Sequence, residues 1–463
     1  MQLNLWLPRG IFALVPFALK KPFGLTFHLT TTWSYGTSLR SSHSSLPGGM
    51  TMLLAKVLAR VVGEGQLTII DEAGRPHRLT GKKPGPAVTM RIRDWWTGVR
   101  IALRPRLALG EAYMDGRLTL EQGDLYDLLD LLGRNVAALE ATPMVRWSYI
   151  LQGWFRAIEQ YNPIGKAQKN VAHHYDLKDQ LYDFFLDSDR QYSCAYFKTG
   201  NESLETAQED KKRHIAAKML LEPGQRVLDI GSGWGGMGLY LAREFDVDVT
   251  GVTLSTEQHT VSSRRALEGG IADKVRFKLL DYRQEPGRYD RIVSVGMFEH
   301  VGAAHYLEYF SKVKELLADD GVMVLHAIGR MEPPGGTNTW LKKYIFPGGY
   351  TPALSEVLAA IEKAGLWVTD IEVLRLHYAE TLRHWRKRFL ANREEIKKLA
   401  GYDDRFCRMW EFYLAGCEVA FRYMNQMVFQ MQIARRQDAS PLTRDYMVDT
   451  ERTERNTRSI AAE

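Results

Sequence analysis

Cysteine is scarce in this chain, since its 463 residues include only Cys194, Cys407 and Cys417. An odd number of scattered cysteines argues against a disulfide framework and against a zinc cluster, and it is typical of a reducing compartment. We therefore expect a cytoplasmic protein without a metal site.

Long apolar runs are missing near the amino terminus. Residues 11–19 (IFALVPFAL) are too few to span a bilayer, and two lysines follow them where a signal peptide has a small-residue cleavage site. Residues 30–49 are rich in Ser, Thr and Gly and lack periodicity. We expect residues 1–49 to be disordered or an over-extended gene start, with Met50 or Met52 as the natural initiator.

The rest of the chain has the length and the 45% hydrophobic content of a globular protein with two or three domains. The pattern of residues 50–142 predicts a small α+β domain. Its strands and helix are predicted at 66–71, 87–93, 117–120 and 124–132. Residues 143–173 predict a helical linker, and residues 405–436, rich in Met, Phe and Tyr, predict one carboxyl-terminal helix. The polar residues 438–463 predict a disordered tail.

The most informative segment is 227–236 (VLDIGSGWGG), in which an apolar strand enters a glycine-rich turn before a predicted helix at 237–245. The missing Cβ atoms of Gly231, Gly233 and Gly235 let such a turn approach a nucleoside cofactor closely. This pattern alone is weak, because a surface turn between buried elements can have the same sequence.

The next two predicted strands favour one cofactor. A nicotinamide enzyme usually ends its second strand with an acidic residue that holds the ribose, but strand 247–253 (VDVTGVT) ends without one. Strand 274–280 is followed by Asp281, where a methyltransferase would place a carboxylate beside the adenine amino group. Together with Asp229, this pattern favours S-adenosylmethionine (SAM) over NAD.

Two further strands are predicted at 289–296 and 321–328. In open α/β sheets the site lies outside the carboxyl ends of the strands. Glu299 and His300 follow the first of these strands, and His326 lies near the end of the second. These side chains are therefore expected at the reaction zone.

Eight blocks occur in a fixed order: HYDL (174–177), YSCAYF (192–197), VLDIGSGWGG, GVTLSTEQ (251–258), DYR (281–283), VSVGMFEHVG (293–302), HAIG (326–329) and KYIFPGG (343–349). In this combination the chain resembles the bacterial cyclopropane-fatty-acyl-phospholipid synthases. The resemblance implies a class I SAM-dependent methyltransferase domain over residues 174–437, an α/β fold with a mainly parallel, Rossmann-like sheet. The preceding domain, 50–142, would engage lipid and organise a homodimer.

The resemblance implies transfer of a methylene group from SAM to a cis double bond in an acyl chain of a membrane phospholipid. Methyl transfer to an alkene leaves a carbocation, and ring closure needs a base within reach of the new methyl group. In the family, a bound bicarbonate ion acts as this base. The backbones of Cys194 and Ile328 and the side chains of His326 and Tyr378 would hold the anion, and Glu299 would accept its hydroxyl.

The same resemblance assigns ten residues to SAM. Tyr192 and Ser193 would contact the methionine portion, Gly231 and Gly233 its carboxylate end, Thr253 and Gln258 the ribose, and Asp281, Tyr282 and Arg283 the adenine side, while Asp229 would order the glycine loop. The side chains of the predicted anion site also have a plainer interpretation, because Cys194, His326 and Tyr378 are of types that commonly pack in a core.

The net charge of +6 is concentrated in two basic segments, 211–214 and 383–398. The second predicts one basic helix with an apolar stripe that includes Trp385 and Phe389. Such a helix suits the surface of an anionic membrane, although a solvated helix face is the alternative. No recognised nucleic-acid-binding module accompanies the charge, so we expect no nucleic acid partner.

The sequence therefore predicts a cytoplasmic enzyme on the inner membrane surface that forms cyclopropane fatty acids. Methyl-branched or methylene fatty acids pass through the same cation and are the alternative product. Plant alkaloid N-methyltransferases share several blocks, but a soluble amine substrate gives no reason for the amino-terminal domain. A silent lipid-binding protein would not need both a cofactor loop and an anion site.

Overall fold

The computed structural model describes residues 51–140 and 180–461. The segment 1–49, the predicted linker 143–173 and the block at 174–177 lie outside the described residues. Within the described residues, no helix is both long enough and apolar enough to cross a membrane.

The amino-terminal domain combines one small sheet with helices, as predicted. Its elements are α1 (Thr51–Ala59), β1 (Glu64–Ile70), β2 (Pro76–Thr80), β3 (Lys83–Ile92), α2 (Trp95–Leu103), α3 (Pro105–Met114), β4 (Leu118–Gln122), α4 (Leu125–Arg134) and α5 (Val136–Glu140). The strand order is β2-β1-β3-β4, with β1 and β3 parallel. Alternate residues such as Leu67 and Ile69 are fully buried, because successive strand side chains point to opposite faces.

The second domain alternates helices and strands. Its elements are α6 (Gln180–Asp183), α7 (Leu204–Met219), β5 (Arg226–Ile230), α8 (Gly236–Phe245), β6 (Asp248–Thr253), α9 (Thr256–Glu268), β7 (Val275–Leu279), β8 (Tyr289–Val295), α10 (Tyr306–Leu316), β9 (Leu317–Arg330), α11 (Thr339–Tyr344), α12 (Leu354–Ala364), β10 (Trp367–Leu374), α13 (His377–Ala391), α14 (Arg393–Lys398), α15 (Asp404–Tyr423), β11 (Gln426–Ala434) and α16 (Asp445–Ala461).

Seven strands form one sheet in the order β10-β11-β9-β8-β5-β6-β7. The strands from β5 to β9 pair in parallel, and β11 pairs antiparallel to both of its neighbours. Ile215 of α7 and Leu241 of α8 are buried in one hydrophobic cluster with strand residues, and Phe310 of α10 and Ile361 of α12 are buried in another. The predicted α/β architecture with a mainly parallel sheet is confirmed.

The carboxyl-terminal part of the domain differs from the prediction of one helix over 405–436. Helix α15 ends at Tyr423, and Asn425 has a φ of +52°, in the left-handed region that ends helices. The remaining residues form β11, between β9 and β10, with all but the first buried. Strands buried on both faces read as continuous apolar runs, which is why periodicity did not separate β11 from the helix.

The predicted disordered tail, 438–463, is also wrong over most of its length. Residues Asp445–Ala461 form α16, which packs on α7. Glu451 of this helix contacts His214 Nδ1 at 2.5 Å, and the Tyr446 hydroxyl accepts a hydrogen bond from Gln432 Nε2 at 2.7 Å. These polar contacts to the core fix a segment whose composition resembles that of disordered chains.

The predicted basic membrane helix is two helices, α13 and α14, and its apolar stripe faces the core. Trp385 and Phe389 are fully buried. Arg386 is also buried and donates to Glu418 at 3.0 Å, while Arg388 donates to Glu205 at 2.8 Å. This stripe therefore cannot insert into a bilayer without unfolding the domain.

Candidate functional site

A cavity opens at the carboxyl ends of β5, β6 and β8. All ten residues predicted for SAM lie in its lining: Tyr192, Ser193, Asp229, Gly231, Gly233, Thr253, Gln258, Asp281, Tyr282 and Arg283. The strand-end rule explains why residues so far apart in sequence meet here.

The glycine loop between β5 and α8 is shaped by positive backbone angles. Gly231 has a φ of +81° and Gly233 a φ of +53°, and a Cβ added at Gly233 would meet no atom within 4 Å. The N–H groups of Gly231 and Ser232 both donate to Val252 O, at 2.9 and 3.0 Å. The Gly231 amide is therefore already used, so a cofactor contact at this residue must come from its Cα or carbonyl oxygen.

Asp229 is buried at the end of β5 and accepts a backbone hydrogen bond from Gly238, in the first turn of α8. This contact supports the predicted role of Asp229 in ordering the loop. Its Oδ2 atom has no hydrogen-bond partner among the described residues, and burial raises the pKa of the carboxyl to about 7.

Thr253 fixes the orientation of the Gln258 side chain. The Ser255 N–H donates to Thr253 Oγ1 at 3.2 Å, and Thr253 Oγ1 donates to Gln258 Oε1 at 3.0 Å. The amide oxygen of Gln258 therefore accepts a hydrogen bond from within the protein, and Nε2 is the donor atom of this side chain. A donor at this position suits the ribose hydroxyl oxygens.

On the adenine side, Asp281 and Arg283 form a bidentate ion pair. Asp281 Oδ1 accepts from Arg283 Nε at 2.9 Å, and Oδ2 accepts from Arg283 Nη2 at 2.7 Å. The Asp281 carboxylate therefore has fewer free lone pairs for an adenine amino group than the sequence alone implied.

The residues predicted to hold an anion lie beside this cavity and are not part of its lining. Ile328 N donates to Glu299 Oε1 at 2.5 Å, which joins two of them directly. Glu299 Oε2 is buried and has no hydrogen-bond partner among the described residues. Burial raises the pKa of this carboxyl to about 7.

A hydrogen bond between neighbouring residues joins the segments that carry Cys194 and Tyr378. Ala195 N donates to Thr381 Oγ1 at 3.0 Å, which ties the segment that carries Cys194 to helix α13, and Tyr378 lies one turn before Thr381. Burial raises the pKa of the Cys194 thiol, so it remains a neutral group and not a nucleophile. His326 is buried on β9, opposite Gln430 of β11.

The basic segment 211–214 is buried, and sequence reasoning missed its part in the site. Lys211 is fully buried, and its Nζ donates to Gln191 Oε1 at 2.5 Å and to Ser193 Oγ at 2.9 Å. Lys211 therefore holds a residue of the cavity lining in place. Nothing in the charge pattern distinguishes such a lysine from a solvated one.

Comparisons with known proteins agree with this geometry. The family model described as mycolic acid cyclopropane synthetase matches residues 164–431. A probable fatty acid methyltransferase of Pseudomonas putida is 38% identical, over 73% of this chain and 84% of the relative. The cyclopropane-fatty-acyl-phospholipid synthase of Escherichia coli K12 is 37% identical, over 73% of this chain and 85% of the relative.

A solved structure shares the fold of the second domain. The mycolic acid cyclopropane synthase CmaA1, in its complex with SAH and CTAB, is 32% identical to the chain, with a TM-score of 0.55. The match covers 59% of this chain and 99% of that structure. The unmatched part of this chain leaves room for the amino-terminal domain described above.

Proposed function

The chain belongs to the mycolic acid cyclopropane synthetase family of SAM-dependent methyltransferases, and on this basis we propose that it forms cyclopropane rings in the acyl chains of membrane phospholipids. SAM, when bound, supplies an electrophilic methyl group. The substrate in this proposal is a cis double bond of an unsaturated phospholipid. The phospholipid substrate is the one that the name of the Escherichia coli relative gives.

The observation that carries the proposal is the state of Glu299. One carboxylate oxygen is held by Ile328 N, and the other is buried without a partner among the described residues. Leaving a buried carboxylate oxygen unpaired is costly, so a ligand that donates a hydrogen bond fits this position. A bicarbonate ion, which supplies the base for ring closure, has such a hydroxyl group.

The protein residues have distinct roles in this proposal. Glu299, oriented by the backbone N–H of Ile328, accepts the hydroxyl hydrogen bond. The Cys194 backbone and the His326 and Tyr378 side chains hold the remaining oxygens of the anion. The Cys194 thiol is neutral, so it is not a strong nucleophile that could trap the substrate cation. The buried position also limits access of water to that cation.

The test is expression in a bacterial host that lacks its own cyclopropane synthase. We expect cyclopropane acyl chains in the extracted phospholipids, identified by mass spectrometry and by the upfield ring protons in NMR. Bicarbonate-depleted enzyme should lose activity and regain it when bicarbonate is added. Lipids with no new acyl species, from cells containing folded protein, would exclude the proposal.

A methyl-branched or methylene product is the second candidate, because the Pseudomonas putida relative bears the name of a fatty acid methyltransferase. Such products require the same methyl transfer without ring closure. The same lipid extracts distinguish the two, since only the ring gives cyclopropane proton signals.

The proposal places the enzyme on the cytoplasmic surface of the inner membrane, through the helix pair α1–α2. Leu53, Trp95, Trp96 and Leu103 of this pair are between 40% and 56% exposed, and we call these four residues the tryptophan surface. Exposed Lys56, Arg60, Arg93 and Arg104 lie on or next to the same two helices. Exposed aromatic and basic side chains together suit an anionic bilayer.

Replacing Trp95 and Trp96 with Ser should weaken sedimentation with phosphatidylglycerol vesicles without changing affinity for S-adenosylhomocysteine. Trp367→Ser is the matched control, because Trp367 is 52% exposed but lies on β10 of the second domain. Equal sedimentation of all three proteins would exclude the tryptophan surface as the membrane contact. The proposal also includes a homodimer, and sedimentation velocity measures whether the purified protein forms one.

A further inference from the structure

A row of polar side chains crosses three neighbouring strands behind the candidate anion site. Glu372 of β10 is the register partner of Gln430 on β11, and Gln430 is the register partner of His326 on β9. Residues directly opposite in an antiparallel ladder project from the same face. Gln430 is fully buried and His326 is nearly so.

The row is completed by two residues of helix α7. Lys218 Nζ donates to Gln430 Oε1 at 2.7 Å and also contacts Glu372 Oε2. His214 Nε2 lies 2.6 Å from the same Glu372 oxygen, and its Nδ1 contacts Glu451 of α16. The charges of Lys218 and His214 are therefore matched by two carboxylates, which is what a buried polar network requires.

Lys218 determines which way the Gln430 amide points. An ammonium group has three donors and no acceptor, so only the amide oxygen of Gln430 can face it. Gln430 Nε2 is then the atom that lies 3.1 Å from His326 Nδ1. Because Nε2 of an amide is only a donor, Nδ1 of His326 must be an acceptor without a proton.

We propose that Gln430, oriented by Lys218, is a positioning residue that holds His326 in the neutral tautomer with its proton on Nε2. His326 then offers a hydrogen-bond donor to the anion and cannot take a proton from it through Nδ1. This inference rests on the proposed function, which assigns His326 to the bicarbonate site. Burial and the nearby cations Lys211, Lys218 and His214 also lower the pKa of His326, which is consistent with a neutral ring.

The tautomer is measurable without any assay of activity. In protein labelled with 15N-histidine and sedimented for solid-state NMR, protonated and unprotonated ring nitrogens of neutral histidine have well-separated shifts. The chain has 12 histidines, and the signals lost in His326→Asn identify His326. We expect wild-type protein at neutral pH to show His326 with Nε2 protonated and Nδ1 unprotonated.

Gln430→Glu keeps the shape of the side chain but replaces the donor that faces His326 Nδ1 with an acceptor. The carboxylate then accepts hydrogen bonds from both Lys218 and Nδ1–H of His326. We expect Nδ1 to become protonated, and the bicarbonate concentration for half-maximal activity to rise about tenfold or more, as with partners that orient metal-binding histidines. Affinity for S-adenosylhomocysteine should stay unchanged. The matched control is Gln426→Glu, which makes the same change of side chain four residues earlier on β11, where the register partner is Arg330.

A wild-type Nδ1 that carries a proton overturns the inference, and so does a folded Gln430→Glu protein whose Nδ1 stays unprotonated. The wild-type measurement stands even if Gln430→Glu fails to fold. Failure of the proposed function has a different signature. In that case, activity of the wild-type enzyme on lipid is independent of added bicarbonate, while the tautomer is still read directly by NMR.

Discussion

At the scale of single residues, Glu299 is the side chain on which the proposed chemistry most depends. In Glu299→Gln, the amide oxygen can still accept from Ile328 N, but the amide nitrogen then replaces the free acceptor. We expect ring formation to fall roughly 100-fold or more, the range of general acid–base effects. Lipid analysis measures the loss, and calorimetric titration with S-adenosylhomocysteine should show unchanged affinity. Unchanged cyclopropane yield would remove Glu299 from the site.

The raised pKa of Glu299 gives a second prediction, on stability. The folded protein keeps this proton up to about pH 7, whereas the unfolded chain loses it near 4.5. Wild-type stability therefore carries a contribution that is present below about pH 4.5 and is lost as pH rises through 7. Glu299→Gln does not titrate, so its Tm relative to wild type should rise across this window. If the Tm difference between Glu299→Gln and wild type does not change with pH, the pKa of the Glu299 carboxyl is not raised in the folded protein.

Gly233 gives a third prediction. Its positive φ and the open space above its Cα are what a closely bound cofactor needs. We expect Gly233→Val to abolish measurable S-adenosylhomocysteine binding, because the branched side chain occupies that space. Gly224→Val is the matched control, since Gly224 also has a positive φ and open space but lies outside the cavity lining. If both variants bind equally well, the turn is only structural.

The ten residues that the sequence predicts for SAM line one cavity, because strand ends and glycine turns are local signals. It missed Lys211 and Gln430, since their roles arise only when α7 and β11 pack against the sheet. It also gave no sign that Asp281 is engaged by Arg283, because this ion pair depends on side-chain conformation.

At the scale of elements, helix α13 shows how a basic sequence can form part of a core. Arg386 donates to the buried Glu418, which also accepts from Arg422 Nη2 at 3.0 Å, so loss of Arg386 leaves the buried carboxylate with one cation instead of two. We expect Arg386→Gln to lower the free energy of unfolding by about 2 kcal/mol. Lys387→Gln, at the adjacent exposed position, should change it by less than about 0.5 kcal/mol. Urea denaturation compares them, and equal effects would contradict the burial of this face.

At the scale of the whole molecule, the two domains share polar contacts that no local pattern reveals. Glu111 of α3 accepts hydrogen bonds from Lys343 Nζ at 2.8 Å and from the Tyr344 hydroxyl at 2.9 Å, and Tyr113 donates to Glu411 at 2.9 Å. All three hydrogen bonds join α3 to the second domain. The pattern of residues 50–142 predicted the fold of the amino-terminal domain. It did not predict how this domain packs on the second domain, because these hydrogen bonds join residues far apart in the sequence.

Helix α16 supplies the whole-molecule prediction. Deleting residues 438–463 removes Glu451 from His214 and Tyr446 from Gln432, so buried donors lose their acceptors. We expect a lower Tm for the truncated chain in thermal denaturation followed by circular dichroism. An unchanged Tm would show that residues 438–463 do not stabilise the fold.

The position of β11 has a consequence for how the protein is made. Its residues, 426–434, follow both β9 and β10 in the chain, yet they lie between these two strands in the sheet. Until they leave the ribosome, β9 has an unpaired edge, which is a template for association with other chains. The sheet therefore cannot be completed until residues 426–434 have been synthesised, and nascent chains that stall before β11 are the species most in need of a chaperone.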